Sequence, residues 1–543
     1  MILQLLAPLA VLLVLQYLFA LSQVLRSTRN QPRFFTFLPP YAPILSLLFP
    51  FAKRPHPRFF VNRHAAWKLK GDLYIQSGSS ILLLVSFVPW PRVVVLVGDG
   101  KVINAINADR KTFSKPAHAN HPILSHWGPN ILTAEGEPWR RHRRVAVSSF
   151  GERGVKEVWD AAKRWTAEWH ERLGKGETRV EKVENELATL TLLVITQTAF
   201  GIPFPWPSSS PDGSSPLFNA TNTVLRDFAL PALLPSFLMR HLPHREVRRV
   251  NGDFEHFEGE LKRIIKERRE EVVKGEADEK HDLLTALVRA NLAEAEAKNK
   301  LSDQELLSDT FIFVVAGQET SANALSALFL LLALYPSHQD TLHGEISAYL
   351  KSTSGAFDYC TAFSSLPYTL ATIQEGLRLV GPVNSLVKAA NTDTVLKASS
   401  VPVEGKDEGE QRSVFVKKGW DLREHLVGAH YNADVWPDPF EFDPSRFLKD
   451  WDRESLVPFS TGLRGCIGRH MAMAEMVVIL ALTMLHYRIE IPAARKEEYA
   501  LKPGENERGR RDRLLNGAWP FTMQPRRIDL SFVRREECEK KEE

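Results

Sequence analysis

The segment Phe459-Ser460-Thr461-Gly462-Leu463-Arg464-Gly465-Cys466-Ile467-Gly468 places one thiol among three glycines and a cation. A cysteine binds a transition metal as the thiolate, so its surroundings have to favour negative charge. Glycines at 462, 465 and 468 permit tight turns that bring backbone N–H groups towards a sulphur. A helix expected to open just after Cys466 adds the positive end of its dipole. Arg464 offers a guanidinium to a carboxylate such as a haem propionate. An isolated cysteine is more often a buried packing residue, but three glycines and an arginine around it have no use in plain packing. The pattern reads as an axial thiolate for a haem iron.

Two further constellations carry potential chemistry. Ala316-Gly317-Gln318-Glu319-Thr320 falls in the middle of a long apolar run. Glycine inside a helix costs about 1 kcal/mol relative to alanine, and a threonine there bends the helix by bonding back to the preceding turn. A packing kink would explain both residues. A small Ala316–Gly317 face that admits a flat cofactor, with Glu319 and Thr320 as an acid–alcohol pair for proton delivery, explains more of them. Glu375 and Arg378 stand three apart on an expected helix and so share a face. Most such pairs are solvated and worth little. Here Leu377, Leu379 and Val380 mark a buried helix, in which a charge without partners is expensive.

The cysteine segment resembles the haem-binding signature of the cytochrome P-450 superfamily through Phe459, Gly462, Arg464, Cys466 and Gly468, with Ala472 and Glu475 fitting the helix that follows. The resemblance implies a mainly α, triangular body with small β-sheets and a haem b cofactor with Cys466 as its metal ligand. Arg446 would join Glu375 and Arg378 in a structural network, while Glu319 and Thr320 would assist oxygen activation beside Ala316 and Gly317. Trp139 and Arg143, four apart and hence on one helix face, would contact a propionate; Lys388 would stand where the family has a further propionate-binding arginine. The other arginines of Trp139-Arg140-Arg141-His142-Arg143-Arg144 would form a basic docking surface for an electron donor. Ser321 in place of a second threonine, and Gly381-Pro382 in place of a proline pair, depart from the pattern. The implied activity is insertion of one atom of O2 into a lipophilic small molecule, such as a terpenoid or other secondary metabolite, with electrons from an NADPH-cytochrome reductase. Two alternatives stay open from the sequence: a haem-thiolate isomerase or dehydratase that needs no O2, and a haem-binding protein that is not an enzyme. Phe311, Phe313, Val315, Ala316, Leu386 and Val387 are the expected lining of an apolar pocket.

The elements that must position these residues are mostly helical. Helices are expected near 136–149, 154–173, 181–200, 253–274, 281–293, 338–351, 365–380 and 467–487. Ser302-Asp303-Gln304-Glu305 reads as a capping box opening a helix that Pro336 stops. Val93–Val97 reads as a buried strand, with strand-like pieces at 385–398 and 413–418.

Sixty-nine Lys+Arg against 65 Asp+Glu give no case for nucleic-acid binding, and Cys360, Cys466 and Cys538 are too few for a disulfide framework. Residues 1–25 carry no charge before Arg26, Arg29 and Arg33, as expected of a transmembrane anchor whose following chain stays cytosolic. A cleaved signal peptide is the rival, and the missing basic start and scarce cysteine weigh against it. The expected organisation is an anchor over 1–25, a Pro-rich linker over 26–59, a catalytic domain over 60–531 and a charged, disordered tail over 532–543. The expected location is the endoplasmic reticulum membrane, crossed once.

Overall fold

The computed structural model describes residues 2–36, 67, 70–116, 124–202, 204–206, 220–221, 224, 230–234, 236–242, 244–294, 297–399, 412–515, 522–525 and 527–535. The prolines expected to stiffen the linker, from Pro39 to Pro57, lie outside the described residues, as does the charged segment after Arg535.

The chain divides into two compact units: Met1–Ala119 with Val383–Glu441 and Trp451–Gly465, and Asn120–Pro382 with Phe442–Asp450 and Cys466–Glu543. The strands are β1 (Arg33–Thr36), β2 (Ile81–Ser86), β3 (Arg92–Val97), β4 (Phe113–Ser114), β5 (Glu177–Val180), β6 (Ser385–Ala390), β7 (Thr394–Ala398), β8 (Arg412–Val416), β9 (Asp421–His425), β10 (Tyr487–Glu490) and β11 (Leu530–Arg534). The helices that matter for the site are α1 (Ile2–Ser27), α2 (Gly100–Ala108), α3 (Gly136–Ala146), α4 (Glu152–Leu173), α5 (Val183–Phe200), α6 (Asp303–Leu334), α7 (Pro367–Val380) and α8 (Arg469–His486).

The first unit is built on a six-stranded sheet in the order β1-β2-β3-β9-β6-β4, with β7 and β8 as a separate pair. Its centre is apolar on both faces. Every residue of β2 is buried, as is every residue of β3 after Arg92, which is why Val93–Val97 reads as a continuous apolar run rather than an alternating one. The stretch 385–398 is two strands rather than one, because 391–393 turn the chain between β6 and β7. The linker expectation needs correction at its start: Arg33–Thr36 pairs in parallel with Leu83–Ser86, so those residues belong to the sheet.

Helix α1 leaves Val11, Leu12, Leu13, Val14, Leu15, Leu18 and Phe19 exposed. The Tyr17 hydroxyl donates to the Phe87 carbonyl at 3.0 Å. Among the described residues two single helices have the length and apolarity to cross a bilayer, and burial separates them. Ala10–Ser27 has none of its window buried, whereas 61% of Arg469–His486 is buried within the protein. The first is the candidate anchor and the second is a core helix.

The second unit holds the long helices. The box at the start of α6 forms as expected, with Ser302 Oγ accepting from Glu305 N–H and the Glu305 carboxylate accepting from Ser302 N–H. Tyr335 and Pro336 end the helix. A three-stranded sheet, β10-β11-β5, closes the unit. It corrects the expected tail: Ser531–Arg534 pairs with Tyr487–Glu490, and Arg535 donates to the Met484 and Gln339 carbonyls. Residues 532–535 therefore belong to the folded body. Charge at the chain end suggested otherwise, but Phe532 and Val533 are buried in that sheet.

Candidate active site

Helix α7 presents Glu375 and Arg378 on one face, and the turn Pro444–Leu448 brings Arg446 to them. The Glu375 carboxylate accepts from Arg378 Nε at 2.6 Å and Nη2 at 2.8 Å. It also accepts from Arg446 Nε at 3.2 Å and from the Asp443 N–H at 2.9 Å. The side chains of Glu375 and Arg378 are wholly buried. Such a pair survives burial only with its hydrogen bonds filled, and here the acid is engaged on both oxygens.

In the same unit, α6 is buried at every residue from Glu305 to Leu334 except Ala316, Gly317 and Thr320. These are residues that the sequence singles out for a cofactor and oxygen. Thr320 Oγ1 donates to the Ala316 carbonyl at 2.8 Å, the back-bond that loosens a helix turn. Gly317 has a different reason for its size. A Cβ there would come within 2.8 Å of Ile195 Cδ1, so the glycine lets α6 approach α5, and Ala316 is the residue left exposed. Ala316, Gly317 and Thr320 together form the part of the helix that is not buried.

Glu319 is 5% exposed, and its Oε1 accepts from Thr522 Oγ1 at 2.5 Å and Gln524 Nε2 at 2.8 Å, while Oε2 has no partner. Burial pushes its pKa up, and the bonds to Thr522 and Gln524 oppose the shift. Nothing local in the sequence marks Thr522 and Gln524, which lie some two hundred residues from Glu319. Ser321, the departure from the expected second threonine, bonds to Glu475 of α8; full burial pushes that carboxyl up to about 8. Of the expected pocket lining, Phe311 packs on Trp127 with ring centroids 4.6 Å apart, and Val315 is fully buried.

Cys466 is a free thiol that keeps solvent access. The protein around its sulphur pushes its pKa up, while the Gly468 N–H and the Arg469 charge draw it down. Gly468 stands at the start of α8, as the dipole argument expects. On α3 the Arg143 guanidinium lies 5.8 Å from the Trp139 ring centroid. Arg141 is tied to Glu305, and His142 Nδ1 meets Asp309 Oδ2 at 2.5 Å, which fastens α3 to the first turns of α6. Arg140 and Arg144 both pair with Glu137. Arg141, whose side chain stays 30% exposed, is thus engaged with an acid of the same unit.

In the first unit, Phe459 and Arg464 belong to the glycine loop, whose Gly462 has φ +66° and a Cβ position 3.0 Å from the Asn107 carbonyl. That backbone and that space suit glycine alone. Lys388 sits on β6 and is 8% exposed.

Among the described residues no group of three or more His, Cys, Asp or Glu could hold a metal ion. Iron in a porphyrin arrives with most of its ligands and can take one thiolate from a protein. One free accessible thiol, a small exposed residue on a buried helix and several cations suit such a group.

A family model described as Cytochrome P450 matches residues 84–504. The chain is 32% identical over 495 residues to cytochrome P450 monooxygenase 124 of Postia placenta, covering 90% of this chain and 92% of that one. It is 28% identical over 415 residues to cytochrome P450 4A10 of Mus musculus, covering 70% and 74%. Its fold is similar to the crystal structure of the cytochrome P450DA heme domain, with a TM-score of 0.67 at 19% identity over 93% of this chain and 98% of that one.

Proposed function

Since the chain belongs to the cytochrome P450 family, we propose that it inserts one oxygen atom from O2 into a lipophilic small molecule of the terpenoid or secondary-metabolite class, using electrons from an NADPH-dependent flavoprotein reductase. Family membership makes it an oxidoreductase of the monooxygenase class, with a haem-thiolate cofactor, O2, a redox partner and a hydrophobic substrate. The finer reading adds haem b as the cofactor and the endoplasmic reticulum as the membrane, with α1 crossing once and the body cytosolic. The exposed apolar α1 supports the anchor.

The observation that carries the site reading is the exposure of Ala316, Gly317 and Thr320 on a helix otherwise buried from Glu305 to Leu334. When bound, the haem supplies one-electron chemistry and activation of O2. Cys466 Sγ would hold the iron; Arg464, Trp139, Arg143 and Lys388 would hold the propionates, with Phe459 and Gly468 shaping the loop. Ala316 and Gly317 would leave room for the cofactor. The Thr320 hydroxyl, which donates to the Ala316 carbonyl, would supply a hydrogen-bonding group beside it. Glu319 is kept protonated further up the pH scale by burial, and its unbonded Oε2 can pass a proton on while Thr522 and Gln524 steady Oε1. Glu375, Arg378 and Arg446 act as scaffold.

Thr320→Ala tests the reading. The variant is expected to load haem normally and to consume NADPH while releasing peroxide in place of product. Fully coupled turnover in that variant would return 316–320 to a packing role. Mass analysis of candidate lipids after turnover, for the added oxygen, identifies the substrate.

A further inference from the structure

In the first unit, β9 carries a carboxylate that no part of the mechanism above uses. Glu424 is 0% exposed, and its carboxylate oxygens lack well-formed hydrogen bonds, with the Asn107 amide approaching them as a donor. Leaving buried acceptors unmade is costly, and a strand that held only packing residues would gain by an aliphatic side chain here. What surrounds the group is specific. Glu424 stands opposite Leu386 of β6, and Lys388 stands opposite Leu422, so alternation along the strands puts all four on one face of the sheet. Helix α2 covers that face with Ile103 and Ile106, which pack with Leu422. Asn107 lies beside the carboxyl from the end of α2, with its Nδ2 donating to Thr461 Oγ1 at 3.3 Å in the glycine loop. On the other side β3 contributes Val97, which is apolar. Arg423 and His425 flank Glu424 on its own strand and alternate to the opposite face. Lys388 is therefore the charge that faces it, and no hydrogen bond closes the two.

We propose that Glu424 is a positioning residue that shares the Lys388 ammonium with the carboxylate end of the cofactor, and that it takes up a proton when the cofactor is reduced. The inference rests on the reading that Lys388 faces a propionate. Two carboxylates against one ammonium leave one negative charge in excess. One electron from the reducing partner, or from a chemical reductant in a titration, adds another at the iron. One proton from solvent then binds a Glu424 oxygen, forming an O–H bond, and no other bond changes. Burial holds this carboxyl up to about 7, with Lys388 and the Asn107 amide drawing it down, which places the effect around neutral pH. Reduction raises the proton affinity of Glu424, so the midpoint potential falls as pH rises through that range.

The test is a spectroelectrochemical titration of the haem-loaded protein between about pH 6 and 8. The wild type is expected to show a potential that falls with pH, and Glu424→Gln a flat one. Lys388→Met, which removes the cation and leaves the acid, is expected to move the slope to higher pH. A wild-type slope unchanged in Glu424→Gln would overturn the proposal. So would a Lys388→Met protein with an unmoved slope, which decides the matter if the glutamine variant does not fold. The reduced CO complex is recorded on each sample. A wild type without the strongly red-shifted Soret band sinks the haem-thiolate reading itself; that band with a flat wild-type slope sinks only the role of Glu424.

Discussion

Glu375 and Glu319 are carboxylates on two helices of the same unit, and both are buried, yet they are held in opposite ways. Glu375 accepts from Arg378, Arg446 and the Asp443 N–H, with both oxygens engaged and two cations around it. Glu319 accepts only from the uncharged Thr522 and Gln524 on one oxygen and leaves the other unbonded. The first arrangement fixes a charge in place and makes any proton transfer expensive. The second raises the acid's affinity for a proton through burial and leaves one of its oxygens unbonded. Burial alone does not separate scaffold from chemistry; what separates them is whether the acid's bonds are complete.

The comparison breaks most visibly at Glu375. Glu375→Ala leaves Arg378 buried without its acid, a change expected to cost about 3–5 kcal/mol in chemical denaturation and to prevent haem loading. A loss below about 1 kcal/mol would mean that the network holds nothing. At Glu319 the expected effect is on rate. Glu319→Gln keeps an acceptor for Thr522 and Gln524, so stability should move little, while product formation falls by about 10²-fold. A variant turning over at the wild-type rate would make Glu319 a second scaffold acid. Glu475 sharpens the contrast from a third position, since it has a single hydroxyl partner, Ser321, and a carboxyl pushed up to about 8. A carboxyl raised on folding binds more protons in the native state, so its burial destabilises increasingly as pH climbs from the unfolded pKa to about 8. Glu475→Gln should therefore gain stability over wild type across that window, on the order of 1–3 kcal/mol. Equal stability curves from acid to mildly alkaline pH would show that the native carboxyl is not held up.

Much of the scaffold was legible because it is local. The capping box at Ser302, the stop at Pro336 and the apolar run of Val93–Val97 each depend on residues within a few positions, and each element forms where those residues require it. The Glu375–Arg378 pair was legible for the same reason. The partners of Glu319 were not, because Thr522 and Gln524 reach it only through the chain's return ahead of β11. Nor was β9: Asp421-Leu422-Arg423-Glu424-His425 looks like a solvated segment, yet Glu424 and His425 are fully buried, since pairing with β3 and β6 puts this strand inside the sheet. Gly317 shows a third limit. The sequence offers a cofactor as the reason for a small residue there, and the direction of its missing Cβ adds a second reason, the close approach of Ile195.

The reading of Cys466 as the thiolate donor to the iron is checked by the absorption spectrum of the reduced CO complex, taken for the wild type and for Cys466→Ser. A strongly red-shifted Soret band is expected in the wild type and its loss in the serine variant, where an alcohol replaces the sulphur. Persistence of that band in Cys466→Ser would contradict it.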